Sequence, residues 1–129
     1  MFYGDWLQRR GLLSPSRVAL IDAENGDRPI TYAQWDRRVN RMANFFQQKL
    51  GIEKGDRISI YSANRLEYLD TLFACNKLGA ILQVLSWRLT AGELERIIRE
   101  VEPKALIYSE EWRKQVGDLR PNLRSVQRY

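Results

Sequence analysis

The chain has 129 residues, of which 44% are hydrophobic and 29% are charged, and this composition predicts one folded domain and excludes a disordered chain. One cysteine and no histidine exclude an internal disulfide, a cysteine-based zinc site, histidine-ligated metals, and Ser-His-Asp or Cys-His catalysis. No apolar run approaches the ~18 residues of a transmembrane helix. The first six residues lack the pattern of a secretory signal. We therefore expect a cytoplasmic protein.

The net charge of +5 arises from 21 basic and 16 acidic residues, and most of the basic residues are arginine. A basic surface attracts polyanions, such as nucleic acid, acidic lipid headgroups or phosphorylated cofactors. A solvated surface of mixed sign explains the same balance, and we favour this explanation. No nucleic-acid-binding motif is visible, so we expect no nucleic-acid partner, whereas a peripheral contact with a membrane stays open.

The first fifty residues predict a short helix, a β-hairpin and a long amphipathic helix. Asn25 and Gly26 form a strong turn signal between two strand candidates, residues 17–22 and 28–31. Thr31 and Gln34 fit a capping box that begins the long helix. Gly51 follows this helix as a left-handed stop.

The middle of the chain alternates strand and helix candidates. The predicted strands are 57–61, 80–85 and 105–108, and the predicted helices are 66–78 and the segment that begins at a second capping box, Thr90 to Glu93. Short connections of this kind imply right-handed crossovers and a parallel sheet, so the predicted class is a three-layer α/β fold with an N-terminal hairpin. Because strand 80–85 is apolar almost throughout, we expect it to be buried on both faces.

The two ends of the chain are less well patterned. We assign residues 1–16 to a leading helix, 5–13, and a linker broken at Pro15. We assign residues 110–129 to a polar tail that contains a short helix over 110–116.

A search for chemistry finds few candidate residues. The eight glycines are isolated, so no glycine-rich phosphate loop is present. The turn at residues 62–65 follows a strand and begins a helix, where an anion can bind, although an ordinary helix start is the favoured interpretation. Cys75 lacks an activating histidine and is interpreted as a buried structural thiol. The acidic pairs Glu110–Glu111 and Glu100/Glu102 are interpreted as solvated charges.

Several segments together resemble the N-terminal part of the acyl-adenylate-forming superfamily, which includes the AMP-forming acyl-CoA synthetases. Ile30-Thr31-Tyr32-Ala33-Gln34-Trp35 is similar to the family pattern Leu-Thr-Tyr-x-Glu-Leu. The other matching segments, which occur in the family's order, are residues 14–21, 39–43, 50–58, 62–68, 77–80 and 86–94. Residues 84–86 read Val-Leu-Ser where the family often has Pro-Leu-Asn.

The resemblance implies that residues 1–129 are a partial subdomain of a larger adenylating domain. The parent protein would be a fatty-acid–CoA ligase that uses ATP, Mg²⁺ and coenzyme A. The family's phosphate loop, ribose-binding aspartate and catalytic lysine lie outside the matching stretch. The resemblance therefore assigns no catalytic, cofactor-binding or metal-ligating residue to this chain, which we expect to be inactive alone and to bind no cofactor. Tyr32, Trp35, Gly79, Arg88 and Leu89 match structural motif positions.

Two further predictions concern partners. The rest of the ligase is the expected partner of this chain. The alternative is a non-enzymatic dimerisation or interaction module derived from the same fold, because a partial sheet leaves an edge strand and an apolar face through which two copies can pair.

Overall fold

The computed structural model describes residues 5–129. Residues 1–4 lie outside the described part. They include the start of the predicted leading segment and most of the six residues that lack a secretory-signal pattern. The helices are α1 (Trp6–Leu13), α2 (Tyr32–Lys49), α3 (Leu66–Leu78), α4 (Ala91–Val101) and α5 (Arg113–Leu119). The strands are β1 (Val18–Asp22), β2 (Arg28–Thr31), β3 (Arg57–Tyr61), β4 (Ile81–Leu85) and β5 (Ala105–Tyr108). Short 3₁₀ helices occupy Ala23–Asn25, Glu110–Trp112 and Arg120–Asn122.

Strands β3, β4 and β5 form a parallel sheet in the order β4-β3-β5, and β1 pairs with β2 in an antiparallel hairpin. Side chains along β3 alternate between two cores. Ile58 packs in the core that contains α2 and α3, whereas Tyr61 packs in the core that contains α4 and α5. Because successive side chains of a strand point to opposite faces, the sheet lies between two helical layers. The predicted three-layer α/β fold with an N-terminal hairpin is confirmed.

Both predicted capping boxes form. In α2 the Thr31 hydroxyl accepts a hydrogen bond from the Gln34 N–H at 3.3 Å, and the Gln34 side chain accepts one from the Thr31 N–H at 2.9 Å. Thr90 and Glu93 make the same reciprocal pair at the start of α4. These bonds satisfy N–H groups that have no partner within a helix, which explains why both helices begin where the sequence predicts.

The prediction for β4 is corrected. This strand lies at the edge of the three-stranded sheet, and the side chains of Ile81 and Val84 are 55% and 54% exposed. An apolar sequence shows that a strand favours burial on both faces, but it does not show that neighbouring layers cover those faces. In residues 5–129, the β4 edge has β3 as its only strand neighbour.

The segment expected to be a polar tail contributes to the core. Four of its apolar side chains are buried in the core with α4, namely those of Val116, Leu119, Leu123 and Val126. The short helix begins later than predicted and continues to Leu119. Near the end of the chain, the Leu106 N–H donates to the Arg128 carbonyl at 3.0 Å, which places residues 127–128 parallel to β5.

An ion-pair cluster joins the first three helices. The Lys77 ammonium of α3 contacts Asp5, the N-cap of α1, at 2.9 Å and Asp36 of α2 at 2.7 Å. Only 7% of the Lys77 side chain is exposed, so these charges are screened less than surface pairs. The cluster therefore holds α1 against the α2–α3 layer.

No helix within residues 5–129 combines the length and apolar composition that crossing a membrane requires.

Candidate functional site

The order of the strands creates a topological switch point. From β3 the chain crosses to β4 on one side, and from β4 it returns to β5 on the other side of β3. Ligands of open α/β sheets often bind where neighbouring connections diverge in this way, at the carboxyl ends of the strands. Residues 62–65 follow β3 at this end of the sheet, and Ser109 follows β5. The sequence places the 62–65 turn after a strand, but only the topology places it beside the end of β5.

A groove of about 830 Å³ lies next to this switch point. Its apolar lining comes from Met42 and Phe46 of α2, Ile60 of β3 and Ile107 of β5, and Tyr129 adds its ring from the last position of the chain. Its polar lining includes side chains of α2, α3 and the two loops at the carboxyl end, namely Arg38, Ser62, Arg65, Glu67, Asp70 and Ser109. The volume falls in the range typical of ligand pockets, so this groove is the candidate site of the described chain.

The 62–65 turn makes contacts within the protein that close it. The Ser62 hydroxyl donates to the Ala63 carbonyl at 2.9 Å. The Arg65 guanidinium lies 3.4 Å from the Glu111 carboxylate, which bridges the loops that follow β3 and β5. A negative charge from Glu111 at this position opposes the binding of an anion. These contacts favour the ordinary helix start over an anion site.

The side of the groove holds a buried carboxylate that the sequence analysis missed. Asp70 of α3 is fully buried and accepts hydrogen bonds from the Trp35 indole N–H at 2.9 Å and from the Arg38 guanidinium. Arg38 also contacts Glu67 at 2.9 Å. A single acidic residue among Leu69, Thr71 and Leu72 is the only signal in the sequence, and the sequence does not name its partners.

The electrostatics of this cluster follow from its burial. Burial raises the pKa of the Asp70 carboxyl, while hydrogen bonds from Arg38 and Trp35 act in the opposite direction by stabilising the charged form. Burial by itself would lower the pKa of Arg38, but contact with Asp70 and Glu67 raises it above its ordinary value. Arg38 therefore stays charged and supplies the compensating charge for a carboxylate that has no access to water. The cluster joins α2 to α3 and has the character of a structural link.

The Tyr129 hydroxyl in the groove has no hydrogen-bond partner within residues 5–129, although the atom is buried. Burial raises the pKa of this phenol. The Arg120 guanidinium lies over the Tyr129 ring at 4.1 Å, so the ring itself is held in place. Buried polar atoms in proteins are nearly always paired, so this hydroxyl is an exception within the described residues, as is the Ser109 hydroxyl.

The five residues that match the family's structural motif positions make packing and backbone contacts within the fold. The Trp35 ring packs edge-on against Phe73 with centroids 4.8 Å apart, and Arg10 lies over the Tyr32 ring at 5.1 Å. Gly79 ends α3 with φ of 69°, and a Cβ there would lie 3.0 Å from the Lys54 side chain. The Arg88 guanidinium stacks on Trp87 at 5.0 Å. Leu89 packs against the core that contains α4.

The remaining candidates show no reactive geometry. Cys75 is buried in the first core, and burial raises its pKa to about 12. Glu110 forms an ion pair with Arg113 at 3.0 Å on an exposed surface. Within residues 5–129, His, Cys, Asp and Glu side chains form no group of three that could ligate a metal. No Mg²⁺ ligand is therefore assigned to these residues.

Comparison with known proteins identifies the class to which this fold belongs. The family model described as AMP-binding enzyme matches residues 7–128. Because this match covers nearly the whole chain, the chain belongs to the AMP-binding enzyme family. Its similarity to named relatives extends through the same region.

Among curated relatives, the chain is 35% identical over 116 residues to a feruloyl-CoA synthase from Amycolatopsis, with 90% of this chain and 23% of the relative covered. It is 36% identical over 110 residues to a 3-oxocholest-4-en-26-oate–CoA ligase from Rhodococcus rhodochrous, with 85% and 19% covered. Among solved structures, it superimposes on the N-terminal domain of FACL13 from Mycobacterium tuberculosis with a TM-score of 0.91 and 29% identity, covering 99% of this chain and 33% of that one. The chain thus spans about a fifth of the length of these curated relatives.

The contacts of Asp70 generate a stability prediction. We expect Asp70→Ala to lower the free energy of unfolding by about 2–3 kcal/mol, because it leaves the Trp35 N–H and the Arg38 guanidinium without their buried partner. The matched control is Glu67→Ala, which removes the exposed partner of the same arginine and should cost less than about 1 kcal/mol. Urea denaturation of the two variants measures both values. Equal losses would contradict the central role of Asp70.

The burial of Cys75 generates a reactivity prediction. The pKa of Cys75 is raised from 9.0 to about 12, which is a shift of about three units. The thiolate fraction at pH 8 therefore falls roughly a thousandfold. We expect iodoacetamide at pH 8 to label the native chain at least about a hundredfold more slowly than the same chain in 8 M urea. Mass spectrometry of the alkylated product measures both rates. Similar rates would show that the thiol is accessible in the folded protein.

Proposed function

We propose that the chain is the N-terminal subdomain of an AMP-forming fatty-acid–CoA ligase. The observation that carries the proposal is the match of residues 7–128 to the AMP-binding enzyme family, together with CoA ligases among the relatives and structural neighbours. In the proposed reaction, a carboxylate attacks the α-phosphate of ATP and releases pyrophosphate. The coenzyme A thiol then attacks the acyl carbon and displaces AMP.

The role of residues 5–129 in this proposal is to form a scaffold. The sheet and the Asp70 link hold α2 and α3 in fixed positions beside the groove, and the Lys77 cluster holds α1 against these two helices. No residue of the chain is assigned to ATP, Mg²⁺ or coenzyme A, which belong to the proposed whole enzyme. The chain by itself is proposed to be inactive, because rate enhancement in phosphoryl transfer depends on positive groups aligned on the phosphates, and no phosphate loop occurs in this sequence.

The expected partner is the rest of the same enzyme. Two features of the described surface support this: the exposed β4 edge and the apolar groove. Each is a feature that further layers of polypeptide would cover. A cytoplasmic location belongs to the same proposal, since ATP and coenzyme A are drawn from that compartment.

The acid substrate is proposed as a fatty acid. The names of the relatives include a ferulate and a steroid carboxylate as well as medium- and long-chain fatty acids. The acids therefore differ among relatives of similar identity. An aryl or sterol acid is the alternative that a substrate panel distinguishes.

An activity assay tests the proposal. We expect the 129-residue chain to release no AMP when mixed with ATP, Mg²⁺, coenzyme A and a panel of fatty, aryl and sterol acids. We expect the polypeptide encoded by the complete reading frame to release AMP and form the acyl-CoA, with a fatty acid as the best substrate. Mass spectrometry detects both products. Acyl-CoA formation by the short chain, or none by the long one, would overturn the proposal.

The alternative function is an interaction module that pairs through the sheet edge. The specific observation in its favour is the unpaired edge of β4, which presents the half-exposed side chains of Ile81 and Val84. Two copies that pair through β4 would extend the sheet across both chains and cover these side chains.

Light scattering across a concentration series tests the alternative. We expect the 129-residue chain to form a dimer as its concentration rises, and we expect Val84→Lys to shift the monomer–dimer midpoint at least about tenfold higher, because a charge on the edge opposes pairing. The control is Val18→Lys, which changes an equally exposed valine on the separate hairpin sheet. A monomer at every concentration would exclude the module.

A further inference from the structure

A second depression lies on the outer face of α2 and has a volume of about 390 Å³. It adjoins the groove of the candidate site, with which it shares Arg38 and Arg41. Seven residues line it: Arg28, Pro29, Ile30, Gln34, Arg37, Arg38 and Arg41. Four of the seven are arginines, and none is acidic. The depression is therefore a concentrated positive site on the surface.

The local structure explains why these side chains converge. Strand β2 runs directly into α2, so Arg28 lies beside the first turns of the helix. Gln34, Arg37 and Arg41 are spaced three and four residues apart, which places them on one stripe of α2. The opposite stripe, which includes Val39, is buried in the core and fixes the direction in which the arginine stripe faces.

The charges in the depression are only partly neutralised. Arg38 is committed to Asp70 and Glu67, whereas Arg28 reaches Asp22 only at 3.9 Å. Arg37 and Arg41 form no ion pair with any residue of the described part, 5–129. Because these two like charges lie one helical turn apart, they repel each other unless an anion lies between them.

Gln34 adds a neutral donor to the same stripe. Its side-chain oxygen accepts the Thr31 N–H at 2.9 Å in the capping box. This bond occupies the Gln34 side-chain oxygen and leaves the Gln34 side-chain nitrogen free to donate a hydrogen bond. A helix cap that the fold requires thus presents a donor next to two unpaired guanidinium groups.

We propose that this depression binds a phosphate group, as a phosphomonoester or a diphosphate. Guanidinium groups bind phosphate oxygens through pairs of parallel hydrogen bonds, and this geometry explains why arginine rather than lysine lines the site. The ligand comes from one of two sources that share this chemistry, a soluble phosphorylated molecule or the headgroup of an acidic lipid. The site borders the groove through Arg38 and Arg41, and the proposal does not depend on the proposed ligase activity.

Calorimetric titration of the 129-residue chain with inorganic pyrophosphate tests the proposal, with ionic strength held constant by chloride. The double variant Arg37→Gln and Arg41→Gln should weaken pyrophosphate binding at least tenfold. The matched control is Arg9→Gln with Arg124→Gln, which removes the same charge from two exposed arginines outside the depression. The control should bind within about twofold of the unmodified chain.

Two results would overturn the site: no binding of pyrophosphate by the unmodified chain, or an equal loss in the two double variants, which indicates attraction by net charge alone. Circular dichroism and the urea midpoint confirm that both variants fold. A second arm measures sedimentation with phosphatidylcholine vesicles that contain phosphatidic acid. Sedimentation that depends on Arg37 and Arg41 identifies the lipid headgroup as the source, and pyrophosphate binding without sedimentation identifies a soluble ligand.

Discussion

The buried carboxylate of Asp70 is the constraint on which the arrangement of the helical layer depends. A carboxylate without access to water must be paired, and its two partners, Trp35 and Arg38, both lie on α2. The pairing therefore sets the rotation of α2 about its own axis as well as its contact with α3. Both surface features of α2, the groove and the adjoining arginine depression, result from that rotation.

A second polar cluster extends the same logic to the beginning of the chain. Lys77 forms ion pairs with Asp36 and with the N-cap residue of α1, Asp5, while its own side chain is nearly buried. Apolar contacts of Leu7 bring α1 to the layer, but such contacts have no direction. The ion pairs provide direction, since they are satisfied only when α1 meets α2 and α3 at these residues.

The described residues combine two packed cores with an exposed sheet edge and a groove. Both faces of the sheet carry packed cores, so the chain contains the interior of one α/β unit. The β4 edge and the groove remain exposed to solvent. The chain matches 23% of the length of the feruloyl-CoA synthase relative.

The sequence by itself determined the elements and their order, because local signals control them. The capping boxes at Thr31 and Thr90 and the stop at Gly79 use bonds and backbone angles within a few residues, so they can be recognised without the fold. The alternation of strand and helix segments along the chain was sufficient to predict the parallel sheet. The matching segments, which occur in the family's order, were sufficient to identify the family.

Only the tertiary structure decided which of those elements are covered and which charges meet. The exposure of β4 depends on the layers that lie beside it, and the partners of Asp70 are more than thirty residues away in the chain. The burial of Val116 and Val126 depends on α4, although their own segment is polar. Long-range contacts of this kind leave almost no mark on local composition. For that reason the sequence shows the arginine stripe of α2, but it does not show the groove or the approach of Arg28 to that stripe.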